Sequence, residues 1–300
     1  MTRSTPEQAP EPERNAVTKR RRSRNDWRAG YIERCTSGSE GGSRKPAVVI
    51  QQGGGFLPYK TTTAINLATY LADAGRKVLL VDMDPQSNTT SGIGVAKNIK
   101  LNTIYDLLVQ QDDELTIFDV IVPTKRHELV VAPCTVELAA AEVELVGTLA
   151  RESRLRQVLE PIRQRCDYIL IDCPPSLGLL TVNAMVAADA LIIPIQCEYL
   201  ALEGLSHLLY TKEMIKNKLN PGLYIAGVVL TMFDPRTRLA GEVVREVRTH
   251  FPEEAFQTII NRSVRLSEAP SYGLSILDYD PSSPGAFSYR SLAEEVIARG

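Results

Sequence analysis

Lys60 and Thr61 follow a glycine run, Gly53-Gly54-Gly55, and open a stretch that reads as a helix. That order of residue types suits phosphate. The backbone N–H groups of Gly54 and Gly55 and a helix N-terminus can accept an anion, the Lys60 ammonium can neutralise charge, and the Thr61 hydroxyl can bind Mg²⁺. The spacing from Gly54 to Lys60 agrees with G-x-x-x-x-G-K-[ST], except that Tyr59 replaces the second glycine. Taken alone, the run fits an ordinary glycine-rich strand-to-helix turn equally well.

Two acidic strand ends add to it. The run KVLLVD (77–82) ends in Asp82 and continues Met83-Asp84-Pro85-Gln86, and YILID (168–172) ends in Asp172 before Cys173-Pro174-Pro175-Ser176. In an open parallel sheet, ligands sit beyond the C-terminal strand ends. Carboxylates there can hold Mg²⁺ through water and orient an attacking water. Asp82 and Asp84 also read as a strand-end turn, and Asp172 as a cap on the turn that follows. Three such ends in one chain coincide by accident far less readily than any one of them.

These groups need a scaffold, and the pattern supplies one. Strand and helix signals alternate from residue 47, which predicts an α/β fold: a mainly parallel twisted sheet with helices on both faces. Strands are expected at 47–51 (AVVIQ), 77–82, 129–132, 168–172, 190–195 (ALIIPI), 224–231 (YIAGVVLT) and 258–260. Their unbroken apolar character marks most of them as buried on both faces. Helices are expected at 61–74, closed by Gly75, and at 103–108, 182–188, 202–217, 241–251 and 289–298. Residues 137–166 read as largely helical with an interruption at Pro161.

Of 300 residues, 44% are hydrophobic and 23% charged, an ordinary composition for one large α/β domain, and the net charge is -2. The charge is unevenly placed. Residues 1–46 carry eleven Lys or Arg and six acids, near +5, which leaves the remainder near -7. That segment has almost no aliphatic residues and is expected to be a disordered basic tail before a single domain at 47–300. The five cysteines lack C-x-x-C spacing, which suits reduced thiols rather than disulfides or a zinc site. No apolar run reaches the length of a membrane span, and no apolar signal core stands at the N-terminus. A cytoplasmic protein is therefore expected.

Residues 61–94, 168–178, 190–206 (ALIIPIQCEYLALEGLS), 228–239 (VVLTMFDPRTRL) and 262–287 resemble, in order, the ParA/Soj-like partition ATPases of the deviant Walker A P-loop class. The run VRLSEAPSYG (264–273) is the most specific to the Soj-like branch. Division-site ATPases look less similar there and end in a basic amphipathic helix, whereas this chain ends EEVIARG. Iron-protein relatives need cluster cysteines at spacings absent here. The resemblance implies ATP and Mg²⁺ as cofactors and an ATP-dependent homodimer. It also implies non-specific binding to DNA of the nucleoid, hydrolysis stimulated by a ParB-like centromere-binding partner, and no membrane association. Residue by residue, it implies that Lys60 is the P-loop lysine, Thr61 the Mg²⁺ ligand and Thr62 a phosphate contact. Asp84 is implied as the acid that positions the attacking water, Asp82 and Asp172 as the acids around Mg²⁺, and Arg262 as part of a segment near the adenine. Arg236, Arg238, Arg245, Arg248 and Arg265 are implied to face DNA, although Glu242 and Glu246 interleave with them as on any solvated helix face.

The loop departs from the family pattern K-G-G-V-G-K-T-T. Gln52 or Gly53 stands where the first lysine belongs, and the stretch is longer by about two residues. Pro58 has no N–H to offer, and Tyr59 would be strained at positive φ and would crowd the phosphates. A second departure is Asn261, where proline is usual. Three explanations fit: a degenerate locus giving a binding protein without turnover, a local error in the sequence, or a modified mode of nucleotide binding. Intact Asp82, Asp84 and Asp172 argue against a long-standing loss of function. Cargo other than a chromosome or plasmid is a further alternative. The tail run KRRRSR (19–24), with Trp27 beside it, reads as a solvated extension, or as added DNA affinity or a partner dock.

Overall fold

A computed structural model describes residues 46–51, 59–96, 101–110, 115–198 and 201–300, with the side chains of 201–203 excepted. The basic tail and the glycine loop at 52–58, including Gly54 and Gly55, lie outside the described residues.

Eight strands form one sheet in the order β3-β4-β2-β5-β1-β6-β7-β8. They are β1 (Ala47–Ile50), β2 (Val78–Asp82), β3 (Val122–Pro123), β4 (Leu129–Ala132), β5 (Tyr168–Asp172), β6 (Ala190–Gln196), β7 (Tyr224–Phe233) and β8 (Ala255–Asn261). All neighbours pair in parallel except β3 and β4. Twelve α-helices are described: α1 (Tyr59–Asp73), α2 (Asn88–Gly92), α3 (Ile104–Val109), α4 (Ile117–Val120), α5 (Leu138–Glu144), α6 (Arg154–Arg163), α7 (Leu179–Ala187), α8 (Ala201–Lys218), α9 (Arg238–His250), α10 (Val264–Glu268), α11 (Ile276–Tyr279) and α12 (Pro284–Arg299).

The strands are apolar along their whole length because both faces are covered. Val48, Ile50, Val78, Leu80, Leu170 and Ile192 pack with Leu67 and Leu71 of α1 and Tyr289 and Leu292 of α12. The alternate residues Val49, Leu79, Val81, Ile169, Ile171 and Leu191 point the other way and are equally buried. β1 lies between β5 and β6, so the chain turns outward in both directions from it. The crevice beyond its C-terminal end is the topological switch point where ligands of open α/β sheets bind. Pro194 sits two residues past the last β1–β6 pair, Ile50↔Ile192, where no rung toward β1 is lost to its missing N–H.

The opposite, N-terminal edge of the sheet is closed by a polar clip. Arg163 donates to Ala187 O at 2.7 Å and pairs with Asp189, whose carboxylate accepts the Ala47 N–H at 2.7 Å. The Asn220 amide donates to Met185 O at 2.9 Å and to Ala188 O at 2.7 Å, capping the end of α7.

The strands expected from sequence are all present, and β3 is added. The helical stretch at 137–166 breaks elsewhere than expected. It gives way to 3-10 turns at Leu145–Gly147 and Arg151–Ser153, with Ala150 left-handed at φ 54°, whereas α6 runs through Pro161. Pro161 is exposed, so water can satisfy the carbonyl its ring leaves without a donor. Gly227 is packed so tightly that a Cβ would fall 2.2 Å from the ring of buried Phe256. Gly227→Ala is expected to lower unfolding stability by about 1–3 kcal/mol in a urea titration, because the ring must move or the strand must bend. Asn220→Ala, which strips the donors from the buried end of α7, should cost about 1–3 kcal/mol in the same assay.

Candidate functional site

The two acidic strand ends meet beside the end of β1 at the switch point. Asp82 and Asp172 are directly opposite each other on β2 and β5, and Ile50 of β1 is opposite Asp172 on the other side. The first turn of α1 lies against them. Lys60 Nζ stands 3.3 Å from Asp84 Oδ2 and 3.4 Å from Asp172 Oδ1. The Thr61 hydroxyl donates to Asp172 Oδ2 at 2.9 Å. Lys60, Thr61, Thr62, Asp82, Asp84 and Asp172 are all buried. The residues that the strand ends and the α1 boundary single out in the sequence therefore share one cluster.

The electrostatics are lopsided. Two carboxyl groups face one lysine, and a third, Asp82, lies opposite Asp172. Burial pushes the Asp82 carboxyl up to about 7, and the neighbouring Asp172 adds to the shift. Burial also raises Asp172, opposed by Lys60 and by the Thr89 and Thr61 hydroxyls. Burial works to lower Lys60, but Asp172 and Asp84 outweigh it and the ammonium is held above its ordinary value. The ammonium is thus the form the site selects, and the site has room for further positive charge.

A divalent cation fits what is present. Among the described residues, buried Asp172 Oδ1 receives no hydrogen bond, since the Lys60 contact lies at ion-pair distance without hydrogen-bond geometry. With the Thr61 hydroxyl it offers the hard oxygen donors that Mg²⁺ takes, one carboxylate at a time, with phosphate and water completing the shell. Among the described residues no group of three or more His, Cys, Asp or Glu forms a ready-made metal cage. That matches a cation carried in with phosphates. Cys134 and Cys173 beside the cluster are raised by burial and stay thiols.

Tyr59 does not behave as its position in the motif suggests. It is the first residue of α1 and is absent from the positive-φ residues, which among the non-glycines described are Ser87, Ala150 and Met232. Its hydroxyl lies 3.2 Å from Ser267 Oγ of α10. Three other partners were not singled out from sequence. Thr89 and Thr90 bind the carboxylates, and Gln51 donates to Pro174 O at 3.2 Å across the site. Threonines after Asp-Pro read only as turn residues, and no periodic signal marks them.

Arg238, Arg245, Arg248 and Arg262 are exposed. Arg262 N–H donates to Phe233 O at 3.0 Å, which sets its turn beside the end of β7. Arg236 is bidentate to Asp234 at 2.9 and 2.6 Å. Arg265 pairs with Glu268 at 3.1 Å and lies over the Tyr279 ring. Two of the five expected DNA-facing arginines are thus already paired with carboxylates within the chain, and Arg248 donates to Gln257 O at 3.5 Å.

A family model described as an AAA domain matches residues 44–225. The sporulation initiation inhibitor protein Soj of Bacillus subtilis is 51% identical over 254 residues, which cover 85% of this chain and 98% of that one. The chromosome partitioning protein ParA of Myxococcus xanthus is 51% identical over 240 residues, covering 80% and 84%. Among solved structures, a cobyrinic acid a,c-diamide synthase from Mycobacterium smegmatis with a bound ATP analogue and magnesium superposes with a TM-score of 0.72 at 29% identity, over 84% of this chain and 94% of that one. The cell division ATPase MinD of Pyrococcus furiosus gives 0.69 at 26% identity, over 86% and 100%.

Lys60→Met removes the only cation described between Asp84 and Asp172 and leaves a buried carboxylate without its partner. Without nucleotide, it should lower unfolding stability by about 3–5 kcal/mol, read from urea melts.

Proposed function

We propose, from the premise that this chain belongs to the Soj/ParA chromosome-partitioning ATPases, that it hydrolyses ATP with Mg²⁺ and uses the cycle to switch its hold on DNA. The observation that carries this reading is the placement of Lys60 between Asp84 and Asp172 at the switch point of the sheet.

Lys60 would neutralise the phosphate chain, and Thr61 with Asp172 would hold Mg²⁺, which supplies charge neutralisation at the phosphates. Thr62, buried beside them in the first turn of α1, would contact a phosphate. Gly54 and Gly55 would supply backbone N–H groups. Asp84 would orient a water whose oxygen bonds to the γ-phosphorus as the bond to the β–γ bridging oxygen breaks. Asp82, opposite Asp172 on β2, would be a further acid around Mg²⁺, and Arg262 would line the nucleoside side. Pro58 and the missing first lysine favour a second reading, a protein that binds DNA or a partner without turnover.

The finer assignments follow the family. They comprise an ATP-dependent homodimer, non-specific DNA binding through Arg236, Arg238, Arg245, Arg248 and Arg265, and stimulation by a ParB-like protein. A cytoplasmic, nucleoid-associated location belongs with them. Residues 1–46 would form a basic extension to the ATPase domain that adds DNA or partner affinity. Among the described residues no helix is long and apolar enough to cross a membrane.

Phosphate release by the purified chain with Mg²⁺ and ATP, with and without DNA, tests the reading. Absence of nucleotide affinity would reject it. Asp84→Ala should bind nucleotide normally but lose about 10²- to 10⁴-fold in kcat. Replacing Arg238, Arg245 and Arg248 together by alanine should weaken DNA binding. It should also flatten the log–log salt dependence by roughly 0.9 per lost phosphate contact, measured by fluorescence anisotropy across salt concentrations.

A further inference from the structure

Two threonines of α2, to which the proposed mechanism assigns no step, hold the acidic cluster in position. Asp82 Oδ2 accepts both the backbone N–H of Thr90, at 2.8 Å, and its hydroxyl, at 2.7 Å. Asp82 Oδ1 accepts the Asp84 N–H at 3.1 Å. The Thr90 hydroxyl oxygen in turn accepts the Cys134 N–H at 3.0 Å, so it joins the end of β2 to the segment after β4. Thr89 acts on the other acid. Its hydroxyl donates to Asp172 Oδ2 at 2.6 Å, the same oxygen that takes the Thr61 hydroxyl. With Oδ2 doubly occupied, Asp172 Oδ1 is the oxygen that, among the described residues, has no hydrogen bond, and it lies beside Lys60.

The helix that carries the two threonines is itself fixed. Ser87 turns the chain into it with a left-handed φ of 52° and donates its N–H to Asp84 O at 2.8 Å. On the outer side, a Cβ on Gly92 would fall 2.6 Å from Ile65 Cδ1, and one on Gly94 would fall 2.9 Å from Gly273 O. Backbone meets backbone at Gly94, and the Ile65 side chain closes on Gly92, so this side of α2 is tightly packed. Both threonines are almost wholly buried, so their hydroxyls have no solvent alternative to the carboxylates.

We infer that Thr89 and Thr90 are positioning residues for the Mg²⁺–nucleotide site. Thr90 sets the rotamer of Asp82 and the turn that presents Asp84, and Thr89 holds Asp172 with Oδ1 turned toward Lys60. The inference rests on the nucleotide-binding reading above. A carboxylate turns freely about two bonds, and a hydroxyl at 2.6–2.7 Å removes that freedom before ligand arrives.

Valine and serine variants separate this role from simple space filling. Thr90→Val and Thr89→Val keep the side-chain shape and the N–H but lose the hydroxyl. Thr90→Ser and Thr89→Ser keep the hydroxyl and lose the methyl. With the full chain and a fluorescent ATP analogue, the Mg²⁺ concentration for half-maximal nucleotide binding should rise about tenfold or more in the valine variants, with binding in EDTA unchanged. The serine variants should behave like the parent. Serine variants as impaired as the valine ones, or valine variants indistinguishable from the parent, would overturn the inference. Amide hydrogen exchange at Cys134 gives a readout that needs no nucleotide: it should quicken in Thr90→Val and not in Thr90→Ser. A parent chain without Mg²⁺-dependent nucleotide binding would refute the functional reading and the role at the metal site together. The Cys134 exchange would still decide whether the hydroxyl holds this junction.

Discussion

An ammonium buried between two carboxylates is costly to assemble, because each ion loses its water and only close opposite charge offsets the loss. Lys60, Asp84 and Asp172 meet that condition, and Asp82 exceeds it by one more acid. The excess shows in the Asp82 carboxyl, which burial lifts to about 7. Everything around the cluster follows from holding it together. Lys60 needs the first turn of α1, α1 needs the apolar face that α12 and the sheet provide, and the acids need parallel strands that end side by side. In the proposed function, the ligand would bring its own cation and its own phosphates, supplying both the missing positive charge and the oxygens to complete its shell.

The two edges of the sheet deal with polar groups in opposite ways. At the N-terminal edge, Arg163, Asp189 and Asn220 bind the ends of β1 and α7 and tie the edge with hydrogen bonds internal to the chain. At the C-terminal edge, a wholly buried carboxylate oxygen of Asp172 has no hydrogen bond among the described residues and lies 3.4 Å from Lys60 Nζ. In the proposed function a bound cation would satisfy it.

The cationic surface shows how local pairing edits what a sequence suggests. An arginine that already holds a carboxylate must give it up to meet a DNA phosphate, so Arg236 and Arg265 bring less to such a contact than Arg238 and Arg245. The chain is 51% identical to Soj and ParA relatives over most of its length, which makes it a member of the partitioning ATPases.

The strands were legible in the sequence because a strand buried on both faces must be apolar throughout, and each such run stands between turn residues. The acids at 82, 84 and 172 were legible for the same reason, as charges ending apolar runs. The short helices α2, α4, α10 and α11 were not, because one turn of helix carries no period. Pro161 misled because a rule about helix interiors says nothing of whether the freed carbonyl meets water. By itself, then, the sequence determined which segments had to be buried and which groups stood at their ends. Tertiary structure alone decided that β1 runs between β5 and β6, that Tyr59 turns to Ser267, and that Thr89 and Thr90 close on the acids. The bonds of Tyr59 to Ser267 and of Thr89 to Asp172 join residues far apart in the chain, and even Thr90 reaches Asp82 across a turn with no period, so no local pattern marks them.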